Sequence, residues 1–468
     1  MMAQYKHIDM RIRAFYRSIA LGIITLMLYS CESKKEIEVT AGDYHLLVDK
    51  VTAIMVNDIF SPPQASRVYA YPNIAAYEAL NAHSGSYKSL VPQLNGFSNN
   101  AEIPAPDADT NLKLAALLAY MQVAEKLVFS EDVIRSYRDS LKTQWALINP
   151  ESLNKAEAYA NKVSTNVISW MDNDFYKETR TMPDYDFFDE DAARWQPTPP
   201  SYMKGIEPHW AKIRPMVMDS ASQFKPIPPP SFSLDKESKF YTELNEVYQI
   251  SEAIRAKGND SEEIGIAKFW DCNPYVSITK GHFMFAEKKI TPGAHWMGIC
   301  KIASIQSGAD FDLTVLAYTK TSIALFDGFI SCWDEKYRSN LIRPETLIAE
   351  YIDPTWQPIL QTPPFPEYSS GHSVISNAAS KVLTSIYGDN FEFVDDTEVA
   401  YNLPKRKFNS FNDAAREAAL SRLYAGIHYR SAIEEGASQG ENVGNFINSK
   451  LDLTKDSTKT EDRITSNQ

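Results

Sequence analysis

The sequence predicts an all-α protein, built from two packed helical bundles in one continuous domain. The chain has 468 residues, 44% of them hydrophobic, so it can bury a large core. Its 18 glycines and 26 prolines favour long helices joined by proline-marked loops. Apolar residues recur at steps of three and four through most of the chain, as they do on the buried face of a helix.

In the N-terminal half, this spacing predicts core-forming helices at about 44–58, 64–81, 110–129, 131–147 and 151–175. Residues 180–235 differ, because prolines alternate there with tryptophan and tyrosine. A loop this long inside a compact protein is usually functional, and its aromatic content argues against a free linker. We expect this proline-rich excursion to pack onto the body of the protein.

The helical spacing resumes in the C-terminal half. The predicted helices are about 239–254, 262–270, 296–305, 310–341, 371–387 and 412–424, followed by two shorter ones. A short loop or hairpin is expected at 391–394. The chain from Asp452 onward is polar, and we expect it to be disordered.

The N-terminus has the features of an export signal. Three arginines precede an apolar stretch at 19–28 that is too short for a comfortable membrane span. The run Leu28-Tyr29-Ser30-Cys31 resembles a bacterial lipobox. Residues 1–30 are therefore predicted to be a lipoprotein signal peptide, with a lipid anchor at Cys31 and a tether over 31–42. An ordinary signal peptide followed by an incidental cysteine is the alternative.

Composition excludes some classes of partner for the mature chain. The net charge of −13 and the pI of about 5.2 argue against nucleic acid. No later segment has eighteen uninterrupted apolar residues, so membrane contact is expected only through the anchor. After Cys31, an odd number of cysteines remains, namely Cys272, Cys300 and Cys332, so at most one disulfide can form.

Within this acidic chain, residues 333–372 concentrate groups that suit a tetrahedral oxyanion. Lys336 and Arg343 are seven residues apart, two turns of a helix that Pro344 would end, so both cations can face one anion. Ser370 offers a hydroxyl, and Gly371 an amide where a helix begins. His372 follows as an acid or base. Taken alone, the Lys/Arg pair would more often be a solvated helix face.

Three motifs in order carry a family resemblance: Lys336-x6-Arg343-Pro344, Ser369-Ser370-Gly371-His372 and Ser421-Arg422-x5-His428. They resemble the signature of the type 2 phosphatidic acid phosphatase and vanadium haloperoxidase superfamily, and in particular the bacterial vanadium-dependent haloperoxidases. The resemblance implies a helical haloperoxidase-like domain over 43–451, with its catalytic core at about 294–450. It also implies a vanadate cofactor bound to His428 and held by Lys336, Arg343, Ser370, Gly371 and Arg422.

The same resemblance implies hydrogen peroxide and a halide as substrates, His372 as the proton acceptor for peroxide and Lys336 as the polarising cation. Trp333 and Phe365 match an aromatic pair beside the halide site of fungal chloroperoxidases, although packing at the rim explains them nearly as well. A periplasmic acid phosphatase with His428 as its nucleophile is the first alternative. A non-catalytic surface lipoprotein that retains an anion pocket is the second.

One position departs from the superfamily pattern. An aspartate commonly follows the metal-binding histidine by four residues and orients its ring, but Ala432 occupies that position here. The missing carboxylate weakens the phosphatase hypothesis, because an unoriented imidazole is a poorer nucleophile. Glu434, Glu435, Asp271 or Asp334 is expected to replace it. The sequence leaves open the halide, the organic acceptor and whether the protein forms a homodimer.

Overall fold

The computed structural model describes residues 35–81, 87–97, 103–187, 191–274, 277–280, 283–286 and 288–454. The predicted signal peptide, Cys31 and most of the polar tail lie outside these residues. Within them the protein is helical, with two short antiparallel strand pairs, so the predicted all-α class is confirmed.

The N-terminal part forms the helices α1 (Ala41–Asn57), α2 (Pro62–Asn81), α3 (Leu112–Glu125), α4 (Glu131–Ile148), α5 (Pro150–Met171) and the short α6 (Tyr176–Thr179). Polar side chains cap several of them: Thr40 forms a capping box with Asp43, and Asn149 accepts the Ser152 amide before Pro150. The proline-rich excursion follows, and its described residues include a 3-10 turn at Trp210–Lys212.

The C-terminal part contains α7 (Lys239–Ala256), α8 (Glu262–Phe269), β1 (Ser277–Lys280), β2 (Phe283–Ala286), α9 (Pro292–Ser307), α10 (Phe311–Ser339), α11 (Pro344–Tyr351), α12 (Gly371–Tyr387), β3 (Phe393–Asp395), the 3-10 turn Val399–Tyr401, β4 (Arg406–Phe408), α13 (Phe411–Tyr424) and α14 (Arg430–Lys450). β1 pairs with β2, and β3 with β4. The predicted pair of short final helices is wrong, because α14 is one continuous helix of 21 residues.

Helix α10 joins the two bundles. It packs against α2 on the N-terminal side and against α12 on the C-terminal side, and one hydrophobic core spans both. By length and composition α10 could cross a membrane, but 94% of its most apolar window is buried inside the protein. It is therefore packed as the central core helix of the fold.

The end of α10 corrects one prediction. The helix ends at Ser339, and Asn340 adopts a left-handed conformation with φ 52°. Arg343 lies beyond this turn in extended backbone, and Pro344 begins α11 instead of ending the preceding helix. Lys336 and Arg343 therefore do not share a helix face, and the turn between them decides how they meet.

The proline-rich excursion packs onto this turn, as expected. The Trp195 amide donates to the Asn340 carbonyl at 2.9 Å, and the Ile342 amide donates to the Ala193 carbonyl at 2.9 Å. Farther along, the Tyr337 hydroxyl donates to the Ile206 carbonyl at 2.6 Å. These bonds hold the segment that carries Arg343 against the rest of the protein.

Helices α12 and α14 approach each other unusually closely. Gly436, Gly440 and Gly444 recur every four residues on the face of α14 that meets α12. A Cβ at Gly440 would overlap the Val374 carbonyl, and one at Gly444 would lie 2.7 Å from the Ala378 oxygen. This contact fixes the beginning of α12, where Ser370, Gly371 and His372 lie.

Candidate active site

A cavity opens above the beginning of α12. Six of the predicted site residues line it: Trp333, Phe365, Gly371, His372, Arg422 and His428. Lys336, Arg343 and Ser370 are fully buried in contact with this set. The three sequence motifs therefore meet at one place, although they come from the end of α10 and the turn after it, from the α12 N-terminus, and from the end of α13 and the loop that follows it.

His428 is held on both sides of its ring. Its Nδ1 lies 2.7 Å from Glu367 Oε1, and its Nε2 lies 3.2 Å from Arg343 Nη1. Since an ionised carboxylate can only accept a hydrogen bond, Nδ1 carries the hydrogen and donates it to Glu367, and the lone pair is left on Nε2. Burial, together with Arg343, Lys336 and Arg422, holds the pKa of His428 well below its ordinary value, so the ring stays neutral.

Glu367 corrects the prediction about the residue that orients His428. It also accepts the Tyr429 amide at 2.9 Å, and burial raises its pKa to about 7. The four acids suggested by the sequence are not this partner: Asp271 pairs with Lys289, Asp334 with Arg338, Glu434 with Arg430, and Glu435 does not contact His428 Nδ1. Glu367 stands five residues before His372, in the run Phe-Pro-Glu-Tyr, and this closeness to the second motif is the sequence signal for its role.

Lys336 is buried beside the rings of Trp333 and Phe365. Its Nζ donates to the carbonyls of Pro366 and Glu367, each at 3.0 Å, and lies 4.9 Å from the centre of the Phe365 ring. Burial lowers its pKa to about 7, and Arg343 adds to the effect. Because carbonyl oxygens and ring faces compensate a positive charge only partly, the site is electropositive and favours an anion.

The two arginines are positioned by backbone carbonyls. Arg343 donates from Nε to the Phe365 oxygen at 3.0 Å and from Nη1 to the Ile427 oxygen at 2.8 Å, and Arg422 donates from Nη2 to the Trp270 oxygen at 2.9 Å. Burial lowers the pKa of Arg343 to about 10, which still leaves it charged. Its Nη2 has no protein partner among the described residues although it is buried.

The α12 N-terminus supplies the remaining groups. Ser370 caps the helix by accepting the Ser373 amide at 3.3 Å, and its own amide donates to the Ala432 carbonyl at 3.0 Å. A Cβ at Gly371 would meet only Trp333, at an ordinary 3.7 Å, so protein packing does not demand glycine there. The first amides of a helix lack intrahelical partners and favour an anion.

His372 lines the cavity, and one of its ring nitrogens is unpaired. The ring hydrogen-bonds to the Trp270 backbone, whereas Nε2 has no partner in the part of the chain described here. Burial and the charge of Arg422 lower its pKa well below the ordinary value, so it is neutral and can accept a proton. The unpaired atoms of Arg343 and His372, a neutral Nε2 on His428 and three cations fit a small oxyanion that also binds one imidazole.

Trp333 and Phe365 form one wall of the cavity. Their ring centroids lie 5.1 Å apart at 52°, and both rings lie within 6 Å of Lys336 Nζ. The rings therefore face the cationic interior of the cavity and are not confined to its rim.

Comparisons with known proteins agree with this geometry. Residues 317–454 match the family described as the VCPO second helical-bundle domain. The crystal structure of a bacterial vanadium-dependent iodoperoxidase is 55% identical, covers 91% of this chain and 100% of its own, and superposes with a TM-score of 0.87. No curated protein sequence matches the chain.

Two more distant structures share the fold alone. A holo-type bacterial vanadium-dependent chloroperoxidase is 17% identical over 86% of this chain and 92% of its own, with a TM-score of 0.61. The apo-type structure of a bacterial vanadium-dependent chloroperoxidase is 16% identical over 82% and 92%, with a TM-score of 0.63.

Proposed function

The chain belongs to the vanadium-dependent haloperoxidase family, and we propose from this premise that it oxidises iodide with hydrogen peroxide. The reaction consumes halide, peroxide and a proton and gives hypohalous acid and water. The observation that carries the proposal is the placement of the His428 ring, whose Nδ1 is bonded to Glu367 at 2.7 Å and whose Nε2 lies on the side of Arg343, within the cationic pocket.

Vanadate is the cofactor, and the residues present fit it. His428 would bind the metal through Nε2, while Arg343, Arg422, Lys336 and the Gly371 amide would hold the oxygens. When bound, vanadate supplies a Lewis acid that activates peroxide without itself changing oxidation state.

The chain's own residues provide the proton handling. We assign His372 as the base that accepts a proton from hydrogen peroxide, because its Nε2 is neutral and unpaired beside the cavity. We assign Lys336 as the cation that stabilises developing negative charge on oxygen. Trp333 and Phe365 are proposed to receive the halide, since a large, weakly hydrated anion suits an aromatic wall beside cations.

The test is turnover by protein reconstituted with orthovanadate and supplied with peroxide. Triiodide formation reports iodide oxidation, and halogenation of monochlorodimedone reports bromide and chloride oxidation. We expect iodide turnover that depends on vanadate and is lost in His428→Ala. Turnover equal to that of the vanadate-free protein would overturn the proposal.

A phosphomonoesterase is the second candidate, and Glu367 is the observation that favours it. A nucleophilic histidine needs a carboxylate that orients its ring, and Glu367 supplies one at 2.7 Å from His428 Nδ1. Hydrolysis of p-nitrophenyl phosphate that is inhibited by vanadate, in a protein without halide oxidation, would select this function.

We further propose that the protein is exported and anchored through a lipid on Cys31, on the strength of the lipobox-like run Leu28-Tyr29-Ser30-Cys31. Radiolabelled palmitate should enter the wild-type protein in bacterial cells but not Cys31→Ala. A Cys31→Ala variant that is still labelled would contradict the anchor.

A further inference from the structure

Beneath the cavity lies a second cluster of metal-type ligands that vanadate chemistry does not use. It consists of Cys272 in the loop after α8, His295 in the first turn of α9 and Glu398 after β3, with Asp395 behind the histidine. All four side chains are buried. We propose that Cys272, His295 and Glu398 form a zinc site.

The donor atoms form a triangle of the right size. Cys272 Sγ lies 3.4 Å from His295 Nδ1, Nδ1 lies 3.3 Å from Glu398 Oε1, and Sγ lies 3.7 Å from the same oxygen. Tetrahedral zinc with ordinary Zn–S, Zn–N and Zn–O bonds separates such ligands by about 3.4 to 3.6 Å. One zinc ion can therefore reach all three atoms, and one tetrahedral position remains for water.

The second ring nitrogen of His295, Nε2, has the carboxylate partner that is usual for a zinc-binding histidine. His295 Nε2 lies 2.8 Å from Asp395 Oδ2, and the other Asp395 oxygen accepts the Thr397 amide at 3.0 Å and its hydroxyl at 2.7 Å. Metal-binding histidines usually donate their second ring N–H to such a carboxylate, which leaves Nδ1 with its lone pair for the metal. The Trp270 ring stacks on the imidazole at 4.4 Å and 17° and fixes its plane.

The competing explanation is a metal-free cluster in which a protonated His295 bridges two carboxylates. Charge-assisted N–H···O bonds in such a cluster are about 2.7 to 2.9 Å long. The Nε2–Asp395 distance fits that range, as does the buried His428–Glu367 pair at 2.7 Å. The contact of Nδ1 with Glu398 Oε1, at 3.3 Å, does not, because it is too long for a strong N–H···O bond. The 3.4 Å between Nδ1 and Cys272 Sγ suits an N–H···S bond and two ligands of one zinc ion equally. The long Nδ1–Glu398 contact therefore matches a shared metal better than a shared proton.

The donor set also selects the ion. One thiolate, one imidazole and one carboxylate suit zinc, whereas calcium and magnesium require oxygen ligands. Cys272 also lines the cavity in which peroxide is proposed to react. Zinc has no redox chemistry, so it would not consume the oxidant.

The site would support the floor of the cavity. Cys272 donates its amide to the Trp270 carbonyl at 3.0 Å, and that carbonyl also accepts from Arg422 at 2.9 Å. His372 bonds to the Trp270 backbone as well. A metal that anchors Cys272 to α9 and to the β3 end would therefore hold Arg422 and His372 in place.

Metal analysis of the full-length protein, purified without chelator and without added vanadium, tests the proposal directly. We expect about one zinc per chain in the wild type and a loss of that zinc in Cys272→Ser and Glu398→Gln. Cys300→Ser is the matched control, since Cys300 is a buried free thiol outside the cluster, and it should keep the zinc. Asp395→Asn should bind zinc about 10- to 100-fold more weakly in competition with a chelator.

Replacing zinc by cobalt in the wild-type protein tests the same site without any variant, so a variant that fails to fold does not leave the question open. Wild-type protein stripped of zinc and given Co²⁺ should develop thiolate-to-cobalt charge-transfer absorption, which reports Cys272 as a ligand without any variant. Wild-type protein that contains no zinc and shows no such absorption would overturn the site in favour of the protonated cluster. Neither readout depends on vanadate or halide oxidation.

Discussion

His428 is useful as a ligand because its two nitrogens have different partners. Glu367 accepts a hydrogen bond from Nδ1 at 2.7 Å, while Nε2 lies 3.2 Å from the Arg343 guanidinium. The carboxylate therefore chooses the tautomer, and burial together with the nearby cations keeps the ring neutral. This pairing joins two parts of the chain that are 61 residues apart, which is why the local pattern around Ala432 did not predict it.

Replacing Glu367 by glutamine should weaken vanadate binding by about 10- to 100-fold with the fold retained. The amide oxygen can still accept from Nδ1, but the negative charge that makes the imidazole a better donor is lost. Equilibrium dialysis with vanadium analysis measures the change. Glu434→Gln is the control, because Glu434 is exposed and lies near Arg430 at 3.6 Å. Equal weakening in both variants would contradict this role of Glu367.

Lys336 should make vanadate binding depend on pH. Its pKa is lowered to about 7, so in the free protein the ammonium is present below that pH and is lost as the pH rises through it. At about pH 6, Lys336→Gln should bind vanadate about tenfold or more less tightly than the wild type, the value of a hydrogen bond to a charged group. At about pH 8.5 the difference should shrink, since the wild type has lost much of its charge.

The control for this comparison is Lys320→Gln, because Lys320 lies on the same helix but contacts Ser385 instead of the cavity. The vanadate affinity of Lys320→Gln should equal that of the wild type at both pH values. A Lys336→Gln deficit of the same size at both pH values would show that Lys336 does not titrate in this range.

At the scale of elements, the close contact of α12 with α14 holds the anion-binding end of α12. Gly440→Ala should lower the free energy of unfolding by about 1 to 3 kcal/mol or more, because the new methyl group would overlap the Val374 backbone and the helices must move apart. Chemical denaturation measures the loss, and vanadate affinity should fall with it because the Ser370–Gly371 turn moves.

Gly265→Ala is the matched control for this change. Gly265 is also inside a helix, and a Cβ there meets nothing within 4 Å. Its replacement should raise the free energy of unfolding by about 0.4 to 1 kcal/mol. Equal effects of the two substitutions would contradict the packing argument.

At the scale of the whole molecule, Asp327 ties the proline-rich excursion to the core. It lies on α10, and its carboxylate accepts the amides of Met216, Val217 and Met218 at 2.6, 2.9 and 3.0 Å. Asp327→Asn should lower the free energy of unfolding by about 3 kcal/mol, because a neutral amide cannot accept all three bonds. Asp219→Asn, on the exposed side of the same segment, should change it by less than about 0.5 kcal/mol.

Thermal unfolding of these two variants shows whether Asp327 or the aromatic contacts alone hold the proline-rich excursion on the core. A similar small shift in both would mean that the excursion is held by its aromatic contacts alone. A large shift in Asp327→Asn with a single transition would show that the excursion unfolds together with the bundles.

The sequence by itself determined the helical class, the approximate helices and the residue types of the site, because helical periodicity and motif spacing are local properties of the chain. The motifs and the family resemblance they carry predicted Lys336, Arg343, Ser370, Gly371, His372, Arg422 and His428 as the site, and the structure brings these residues together around one cavity. Only the tertiary structure decided that Asn340 turns the chain between Lys336 and Arg343, that Glu367 orients His428 and that Cys272, His295 and Glu398 meet. These contacts join residues that are distant in sequence, so neither helical periodicity nor motif spacing reveals them. Their strength comes from burial, which only the folded chain provides.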